Sequence, residues 1–434
     1  MTLPSESLEK IRQQFDHAPY PSVPLEESPR RQFNLLFTHS LVTPHYLKHR
    51  RIVQPEGRLI LDAGCGSGYK SLILAEANPG ATIIGIDLSE TSVNLSRQRL
   101  RYHGFENVEF HTLLIEDLPS LGKAFDYINC DEVLYLLPDP VAGLQALKSV
   151  LKPDGILRAN LHNAYQRQNY YQAQALFGMM GLMDESPEDL EIDLVMETMR
   201  SLHNHVALKA NTWHSIYEQQ KQGVLVDYLL LGDKGFTIPD LFALLSQTDM
   251  ELVNLVNWPQ WELSSLFQDP NHLPELLQSK LPTLSLADRL HLYELFNPVH
   301  RLIDFWCVQP GFTTPPNPLQ TPNWQQVMVS LHPQLRQDSI RQALLTCCQT
   351  ATPFSFSSYI SASTVQPVTL GSNQAACLLP LWESPQSIAA IAHQYLTFNP
   401  VQFPSLEPMT LAIATEQVKQ LLTQLEQCLY VLVA

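Results

Sequence analysis

Short apolar runs alternate with amphipathic segments between residues 58 and 161. Continuous apolar runs are typical of strands that are buried on both faces of a parallel sheet. The runs cover residues 59–61, 81–86, 108–113, 125–130 and 156–161. The segments between them repeat at helical spacing, and one has Ser89 placed as an N-terminal cap and Gly104 as a C-terminal stop. This alternation predicts an α/β fold with a doubly wound parallel sheet.

Two further apolar segments predict the edge of the same sheet. Residues 251–256 and 300–308 have the composition of strands, and a predicted helix over 238–245 precedes the first of them. Together with the first five strands they give a Rossmann-like sheet of seven strands, six parallel and one antiparallel.

The flanking segments divide the chain into three predicted domains. Residues 1–55 are polar and interrupted by proline, which predicts a helical arm with a helix over 31–47. Residues 56–310 form the α/β domain, with a helical insertion, rich in Tyr and Met, over about 163–230. Residues 311–322 have linker composition. Residues 323–434 carry two amphipathic helices, around 388–395 and 418–429, and a strand-like end over 429–433, which favours a small winged-helix-like α+β domain.

Composition and charge narrow the functional classes. The chain has 434 residues, 45% of them hydrophobic, and a formal net charge of −16. A nucleic-acid partner is disfavoured, because phosphate binding needs a basic stripe and residues 323–434 offer only Arg336, Arg341 and Lys419. The seven cysteines lack metal-ligand spacing, so we expect no metal site and a reducing compartment. With no signal region and no apolar run of bilayer length, we expect a cytoplasmic protein without a membrane partner.

The strongest chemical signal is a glycine-rich loop that follows the first strand. Its sequence from Asp62 to Gly68 is Asp-Ala-Gly-Cys-Gly-Ser-Gly. Glycine lets the backbone turn tightly and lets a ligand approach where a Cβ atom would collide. The spacing differs from the GxGxxG pattern that seats a pyrophosphate on a helix N-terminus. An acid at the loop entrance repels a pyrophosphate and suits a cationic amino group, so the loop predicts a ligand without phosphates.

Carboxylates follow the next two strands. Asp87 ends the second strand, 19 residues after Gly68, where an acid can accept both hydroxyls of a ribose. Glu116 and Asp117 follow the third strand, where either can accept from an adenine amino group. Since the carboxyl ends of parallel strands meet at one edge, these features predict a single nucleoside site.

In this register, residues 58–161 resemble a class I S-adenosylmethionine (SAM)-dependent methyltransferase. The family motif DxGxGxG matches Asp62 to Gly68, and the turn over 151–155 (Leu-Lys-Pro-Asp-Gly) matches another recurring element. The resemblance implies SAM as cofactor and a methyl-transfer activity. It implies a set of cofactor-binding residues, namely Asp62, Ala63, Gly64, Cys65, Gly66, Gly68, Asp87, Leu88, Glu116, Asp117 and Asp131.

The resemblance also implies that the loop after the fourth strand, residues 130–134, faces the sulfonium and the acceptor. Asp131 and Glu132 are candidates to hold the methionine end or the acceptor. His162, just past the fifth strand, is a candidate general base because imidazole titrates near neutral pH; the alternative is that it caps the strand or lies in solvent. Tyr20 and Tyr135 either line the pocket or pack in the core, and residues 165–183 either cover the site or pack.

The acceptor stays open at this point. The chain lacks an Asn-Pro-Pro-Tyr-like sequence after the fourth strand and lacks the paired glutamates of protein arginine methyltransferases. The layout of core plus C-terminal module is similar to bacterial methyltransferases with a regulatory domain, some of which modify protein lysines. We therefore expect a protein or small-molecule acceptor, and a homodimer is one option. The competing hypothesis is a non-catalytic SAM-binding regulator that signals through its C-terminal module.

Overall fold

A computed structural model describes residues 6–402 and 404–434 of the chain. Residues 1–5, which the sequence assigned to the N-terminal arm, lie outside the described residues. Within that part of the chain the central sheet contains β1 (Leu59–Ala63), β2 (Thr82–Asp87), β3 (Val108–Thr112), β4 (Phe125–Cys130), β5 (Leu151–Asn163), β6 (Gly235–Phe236), β7 (Glu251–Leu255) and β8 (Leu302–Val308).

The strand order of the sheet is β3-β2-β1-β4-β5-β8-β7, with β6 paired beside β5. Pairs from β3 to β5 are parallel, whereas β8 runs antiparallel to both β5 and β7. The α/β class with one antiparallel strand near the edge is therefore confirmed. The two-residue strand β6 was not predicted, because two residues are too short to give an apolar pattern.

Helices cover both faces of this sheet and extend beyond it. Their bounds are α1 (Glu6–His17), α2 (Phe33–His39), α3 (Val42–His49), α4 (Tyr69–Ala77), α5 (Glu90–Tyr102), α6 (Pro140–Ser149), α7 (Gln168–Met179), α8 (Asp189–Ser201), α9 (Ala207–Thr212), α10 (Lys221–Tyr228), α11 (Ile238–Gln247), α12 (Glu275–Lys280) and α13 (Leu286–Phe296). Ser89 caps α5 by accepting from the Ser92 N–H, as its position predicted. Gly104 follows that helix with φ +79°, the left-handed conformation that ends helices.

Two predicted boundaries are wrong. Strand β5 begins at Leu151 rather than at residue 156, because the expected turn over 152–155 is taken into the strand by a register shift against β4. The single arm helix over 31–47 is two helices, α2 and α3, with Ser40 extended between them. Pro44 explains this break, since a proline ring clashes with the carbonyl four residues earlier and is tolerated only in a first turn.

The C-terminal part has its own strands and helices. They are β9 (Met328–Leu331), α14 (Asp338–Thr350), β10 (Phe354–Ser355), β11 (Thr369–Leu370), α15 (Ser372–Ala376), β12 (Gln386–Ser387), α16 (Ile388–Phe398), α17 (Leu411–Gln427) and β13 (Val431–Val433). Strands β12, β9 and β13 pair antiparallel, and both predicted amphipathic helices are present as α16 and α17. The last strand starts at Val431 rather than 429, because Leu429 turns the chain with φ +53°.

The arm packs into the core of the C-terminal part. Phe37, Val42 and Tyr46 lie in one buried cluster with Val418 and Leu422 of α17. The Tyr46 hydroxyl donates to the buried Glu426 carboxylate at 3.1 Å and accepts from the Val433 N–H at 3.0 Å. The arm thus joins the C-terminal part to the central sheet, against which α2 and α3 also pack.

The insertion over 163–230 is helical, as its composition predicted, and α7 to α10 share a core that includes Phe177, Met196, Met199 and Tyr228. Met179 and Met180, at the end of α7, are exposed. In the part of the chain that the structure describes, no helix is both long and apolar enough to span a bilayer.

Candidate active site

A cleft lies at the carboxyl edge of the sheet, where β1, β2, β4 and β5 end. Its empty volume is about 1200 Å³, open mouth included, and its lining comes from all of these strand ends. From the predicted cofactor set the cleft contains Gly64, Cys65, Gly66, Asp87, Leu88, Glu116 and Asp131. From the predicted catalytic set it contains Asp131, Glu132 and His162. Ligands of doubly wound sheets bind at this edge, so the geometry is that of a binding site.

The glycine loop has the backbone that its sequence predicted. Gly66 has φ +52°, and a Cβ atom built there would lie 2.1 Å from the carbonyl oxygen of Tyr20. Gly68 has φ +79° and would bring a Cβ atom within 2.6 Å of the backbone of Ser96. Any larger residue would therefore both strain the loop and collide with its surroundings, which leaves the floor of the cleft as bare backbone.

Asp87 closes this loop against the next strand. One carboxylate oxygen accepts from the Gly66 N–H at 2.8 Å, and the other accepts from the Ser89 N–H at 2.9 Å. Burial raises the pKa of Asp87 to about 6, although these backbone hydrogen bonds oppose the shift. Each oxygen keeps lone-pair capacity for a further donor, so the carboxylate can bind a pair of hydroxyls in the cleft.

The structure separates the two candidates for the adenine end. Glu116 lines the cleft, together with Leu113, Leu114 and Ile115, whereas Asp117 does not line it. An apolar wall with one carboxylate at its rim suits a flat heterocycle that carries an amino group.

Asp62 is not in the cleft, in contrast to the role that the sequence gave it. Its carboxylate lies beneath the loop and accepts from the Ser71 hydroxyl at 2.6 Å and from the Asn129 amide at 2.9 Å. Ala63 and Gly68 are also absent from the lining. The reason is the strand alternation, which turns the Asp62 side chain toward α4 rather than toward the ligand edge. These contacts fix the strand-to-helix turn, and the role of Asp62 in cofactor binding stays a prediction.

Asp131 is a buried counter-charge. Its carboxylate lies 2.6 Å from Lys70 Nζ and 3.3 Å from Arg158 Nη1, and it also accepts from the Asn160 amide. Burial opposes ionisation, but the charges of Arg158 and Lys70 hold the pKa of Asp131 well below its usual range. A carboxylate held in this way does not accept a proton near neutral pH, so Asp131 positions charge and is not a base.

The Glu132 side chain, like that of Asp131, is fully engaged in hydrogen bonds and ion pairs. The backbone of Glu132 has φ +63°, and its N–H donates to the Asn160 side chain at 2.8 Å. Its carboxylate is paired with the Arg301 guanidinium and accepts from the Tyr135 hydroxyl at 2.7 Å. Burial opposes ionisation, yet Arg301 holds the pKa of Glu132 below its ordinary value. The strained backbone places this ion pair in the cleft.

His162 is buried in the wall of the cleft and does not lie in solvent. It belongs to β5, where it pairs with Leu302, and only 1% of its surface is exposed. Its ring stacks on Tyr135 with centroids 3.8 Å apart. Nδ1 lies 2.7 Å from the Asp233 carboxylate, and Nε2 lies 2.9 Å from Nη1 of Arg301. Because a guanidinium only donates, Nε2 must be the acceptor and Nδ1 must carry the proton.

Asp233 is itself held in place. Its second oxygen accepts from Arg167 and from Gln174, each at 3.0 Å. Burial opposes ionisation, but the hydrogen bond from His162 and the charge of Arg167 lower the pKa of Asp233. The ionised Asp233 fixes the imidazole tautomer, with the proton on Nδ1 and with the Nε2 lone pair accepting from Arg301.

The residues present fit SAM. Asp87 would hold the ribose hydroxyls, and Leu88, Ile115 and Glu116 would surround the adenine. Lys70 and Asp131, which line the cleft with opposite charges, would meet the carboxylate and the amino group of the methionine end. The bare backbone at Gly66 leaves the close approach that a nucleoside needs.

Several residues of the cleft escaped sequence reasoning. Lys70 is the second residue of α4 and has no motif of its own, and Arg301 comes from a distant segment. Asp233, which contacts His162 from outside the lining, also comes from a distant segment. Helix α1 covers the cleft with Leu8, Ile11 and Phe15, whereas none of residues 165–183, the predicted cover, lines it. The amphipathic pattern of α1 was the available signal, but it did not show which surface the apolar face would meet.

Comparison with known proteins agrees with this geometry. The sequence model of a family described as a methyltransferase domain matches residues 56–226. The ubiquinone biosynthesis O-methyltransferase of Actinobacillus pleuropneumoniae serotype 5b is 37% identical over 106 residues, which are 23% of this chain and 44% of that protein. The chain thus matches less than half the length of that enzyme. A Synechococcus protein, "Uncharacterized protein syc1184_c", is 24% identical over 68% of this chain and 70% of its own length.

Among solved structures, PKMT2 from Rickettsia typhi in complex with AdoHcy has a similar fold. It covers 96% of this chain and 77% of its own length, with a TM-score of 0.58 and 18% identity. The fold, the matched domain and the glycine loop beside Asp87 lead to one conclusion. Residues 56–226 form a methyltransferase domain of the SAM-dependent kind, and SAM is its cofactor.

Proposed function

We propose that the methyl group goes to a small molecule with an apolar body and an acidic acceptor group, and that His162 takes the acceptor proton. The observation that carries this proposal is that His162 lines the cleft with its Nδ1 bonded to Asp233 and its Nε2 bonded to Arg301, another lining residue. A histidine ordered by a carboxylate is the arrangement that general-base catalysis requires.

The shape of the cleft supports a compact acceptor. Helix α1 lies over it, and Gln14 ties the helix down by donating to the Leu229 carbonyl at 2.9 Å and accepting from the Leu231 N–H at 3.2 Å. Asp16 adds a second tie, since it accepts from the Ser89 hydroxyl at 2.5 Å. An extended peptide needs an open groove, whereas a small molecule fits beneath such a cover.

The walls at the acceptor end are apolar. They are built by Leu8, Ile11, Phe15, Leu136, Leu137, Val226 and Leu230. Burial of an apolar body against such walls contributes roughly 25 cal/mol per Å² of contact, which is enough to order a small acceptor. The polar side chains of the lining include His162 with its neighbours Tyr135, Glu132 and Arg301.

When bound, SAM supplies an electrophilic methyl group on a cationic sulfur. The residues of this chain orient the acceptor, exclude water through α1 and move one proton. The acceptor's proton passes to Nε2 of His162, its lone pair forms the new bond to the methyl carbon, and the electron pair of the broken carbon–sulfur bond stays on sulfur. Orientation provides most of the rate in such an in-line displacement.

The test uses the full chain, isotopically labelled SAM and extract that has been separated by size. Mass spectrometry of the small-molecule fraction is expected to find a labelled product with wild type, and at least about a hundredfold less with His162→Gln. Label found on protein alone would contradict the small-molecule acceptor. No label in either fraction, beside tight SAM binding, would favour the regulatory hypothesis.

A further inference from the structure

The position of Arg301 beside the proposed base bears on the acceptor. Its Nη1 lies 2.9 Å from Nε2 of His162 and 3.2 Å from a Glu132 oxygen, and its side chain lines the cleft. An acceptor atom that donates its proton to Nε2 must take over the hydrogen bond that Arg301 now makes there. Arg301 therefore touches the acceptor atom itself.

A guanidinium sets a strict condition on that atom. Arginine has five N–H donors and no acceptor, and it keeps its charge at every physiological pH. An oxygen can donate its proton to Nε2 and accept from Arg301 at the same time. An ammonium nitrogen has no lone pair for Arg301, and its charge is repelled.

None of the carboxylates that line the cleft offers a binding site for the ammonium group of an acceptor. Among the described lining residues they are Asp87, Glu116, Asp131 and Glu132. The first two follow β2 and β3, on the far side of β1 from His162. Asp131 is paired with Lys70 and Arg158 and is already the partner proposed for the amino group of SAM, and Glu132 is paired with Arg301.

We infer that Arg301 determines the acceptor class: the methylated group is an acidic O–H, bound with its oxygen between Arg301 and His162, and cationic amines are excluded. This inference rests on the proposed role of His162 as the base. As the proton passes to Nε2, the negative charge that develops on oxygen lies against the guanidinium, which stabilises it. Burial disfavours the charge of Arg301 itself, but Glu132 outweighs it and raises the pKa of Arg301 further.

The probe is 4-nitrophenol, whose ionised form is yellow, bound to the full-length protein saturated with S-adenosylhomocysteine. The charged or titratable groups that surround the expected position are Tyr20, Lys70, Asp131, Glu132, Tyr135, His162 and Arg301. Absorbance titration of the bound probe is expected to show ionisation shifted to lower pH by about one unit, a tenfold change in the ratio of ionised to neutral probe. Competition with phenethylamine is expected to be at least about tenfold weaker than with an uncharged phenol.

Variants assign the shift to Arg301. Arg301→Gln is expected to abolish it and Arg301→Lys to retain part of it, while Arg289→Gln, an exposed arginine on α13, leaves it unchanged. The double variant Glu132→Gln with Arg301→Gln removes both partners and checks that an unpaired glutamate is not the cause. An unshifted titration, failure of 4-nitrophenol to bind, or preferred binding of phenethylamine would overturn the inference. Failure of S-adenosylhomocysteine to bind the wild type would instead count against the active site itself.

Discussion

Nδ1 of His162 lies 2.7 Å from the carboxylate of Asp233, although 71 residues separate the two in sequence. His162 is the last residue but one of β5, and Asp233 lies two residues before β6, which pairs beside that strand. The pairing of the short strand β6 beside β5 therefore brings the Asp233 carboxylate to Nδ1 of the His162 imidazole.

Replacing Asp233 with Asn should slow methyl transfer without weakening cofactor binding. The amide can donate to Nδ1, which favours the tautomer with the proton on Nε2, where it blocks the base. We expect the turnover number to fall by about 10² to 10⁴, while calorimetry shows unchanged S-adenosylhomocysteine affinity.

The matched control for Asp233→Asn is His272→Gln. His272 also lies 2.6 Å from an aspartate, Asp269, but both side chains are exposed on the surface. It should leave turnover unchanged. Equal losses in the two variants, or wild-type turnover in Asp233→Asn, would remove Asp233 from the mechanism.

Gly66→Ala should abolish cofactor binding through a collision as well as through strain. Its Cβ atom would lie 2.1 Å from the Tyr20 carbonyl oxygen. Gly122 is the matched control, because it also has a left-handed φ, +60°, but nothing within 4 Å of an added Cβ. In each variant the left-handed backbone at alanine costs roughly 1–2 kcal/mol in stability. Only Gly66→Ala also displaces the loop of the arm. Calorimetry that finds equal affinities in both variants would contradict this account of the loop.

Cofactor affinity should weaken as the pH falls through about 6, because burial raises the pKa of Asp87 to about 6 from an ordinary 3.8. The ionised form accepts the ribose hydroxyls, so protonation competes with binding, by about tenfold for each pH unit below that value. In the free protein the same shift acts on stability. It contributes stability below the unfolded pKa, and this is lost as pH rises through the folded pKa.

Calorimetry of S-adenosylhomocysteine between about pH 5 and pH 8 checks this prediction. Asp87→Asn should bind weakly and with little dependence on pH. Burial also raises the pKa of Asp62 to about 6, but Asp62 lies outside the cleft. A full pH dependence that persists in Asp87→Asn would assign the effect to Asp62 and contradict the role given to Asp87.

Tyr46→Phe should destabilise the whole chain, because the hydroxyl joins the arm to the C-terminal part. It is buried and bonded to both Glu426 and Val433. Glu426 keeps Arg50 and Asn317 as partners, but the buried Val433 N–H loses its acceptor, which costs about 1–3 kcal/mol in the free energy of unfolding. Tyr102→Phe, at an exposed tyrosine, is the control for denaturant melts. Equal midpoints for both variants would show that this contact does not hold the arm.

The sequence predicted the parts of the site that depend on local pattern. The apolar runs located the strand ends. They therefore also located the edge of the sheet along which Asp87, Asp131 and His162 lie. The alternate glycines predicted a backbone that the structure shows with positive φ at each position. The sequence placed Asp62 at the loop entrance, but it did not show that the carboxylate bonds to Ser71 and Asn129 beneath the loop.

The remaining features of the site depend on contacts between residues that are far apart in the sequence. Arg301 meets Glu132 across 169 residues, and α1 reaches the cleft from the start of the described chain. Such pairings follow from how the elements pack, and a single sequence carries no signal for them. The sequence predicted His162 as a candidate base from its position after the fifth strand. It did not predict the groups that orient His162.

A crystal structure with S-adenosylhomocysteine is the most direct test of the central claim, which is that one cleft holds the cofactor beside His162. The account predicts ribose hydroxyls on Asp87, adenine beside Leu88 and Ile115, and the sulfur facing the space between His162 and Arg301. A ligand bound elsewhere, or a sulfur turned away from His162, would contradict it.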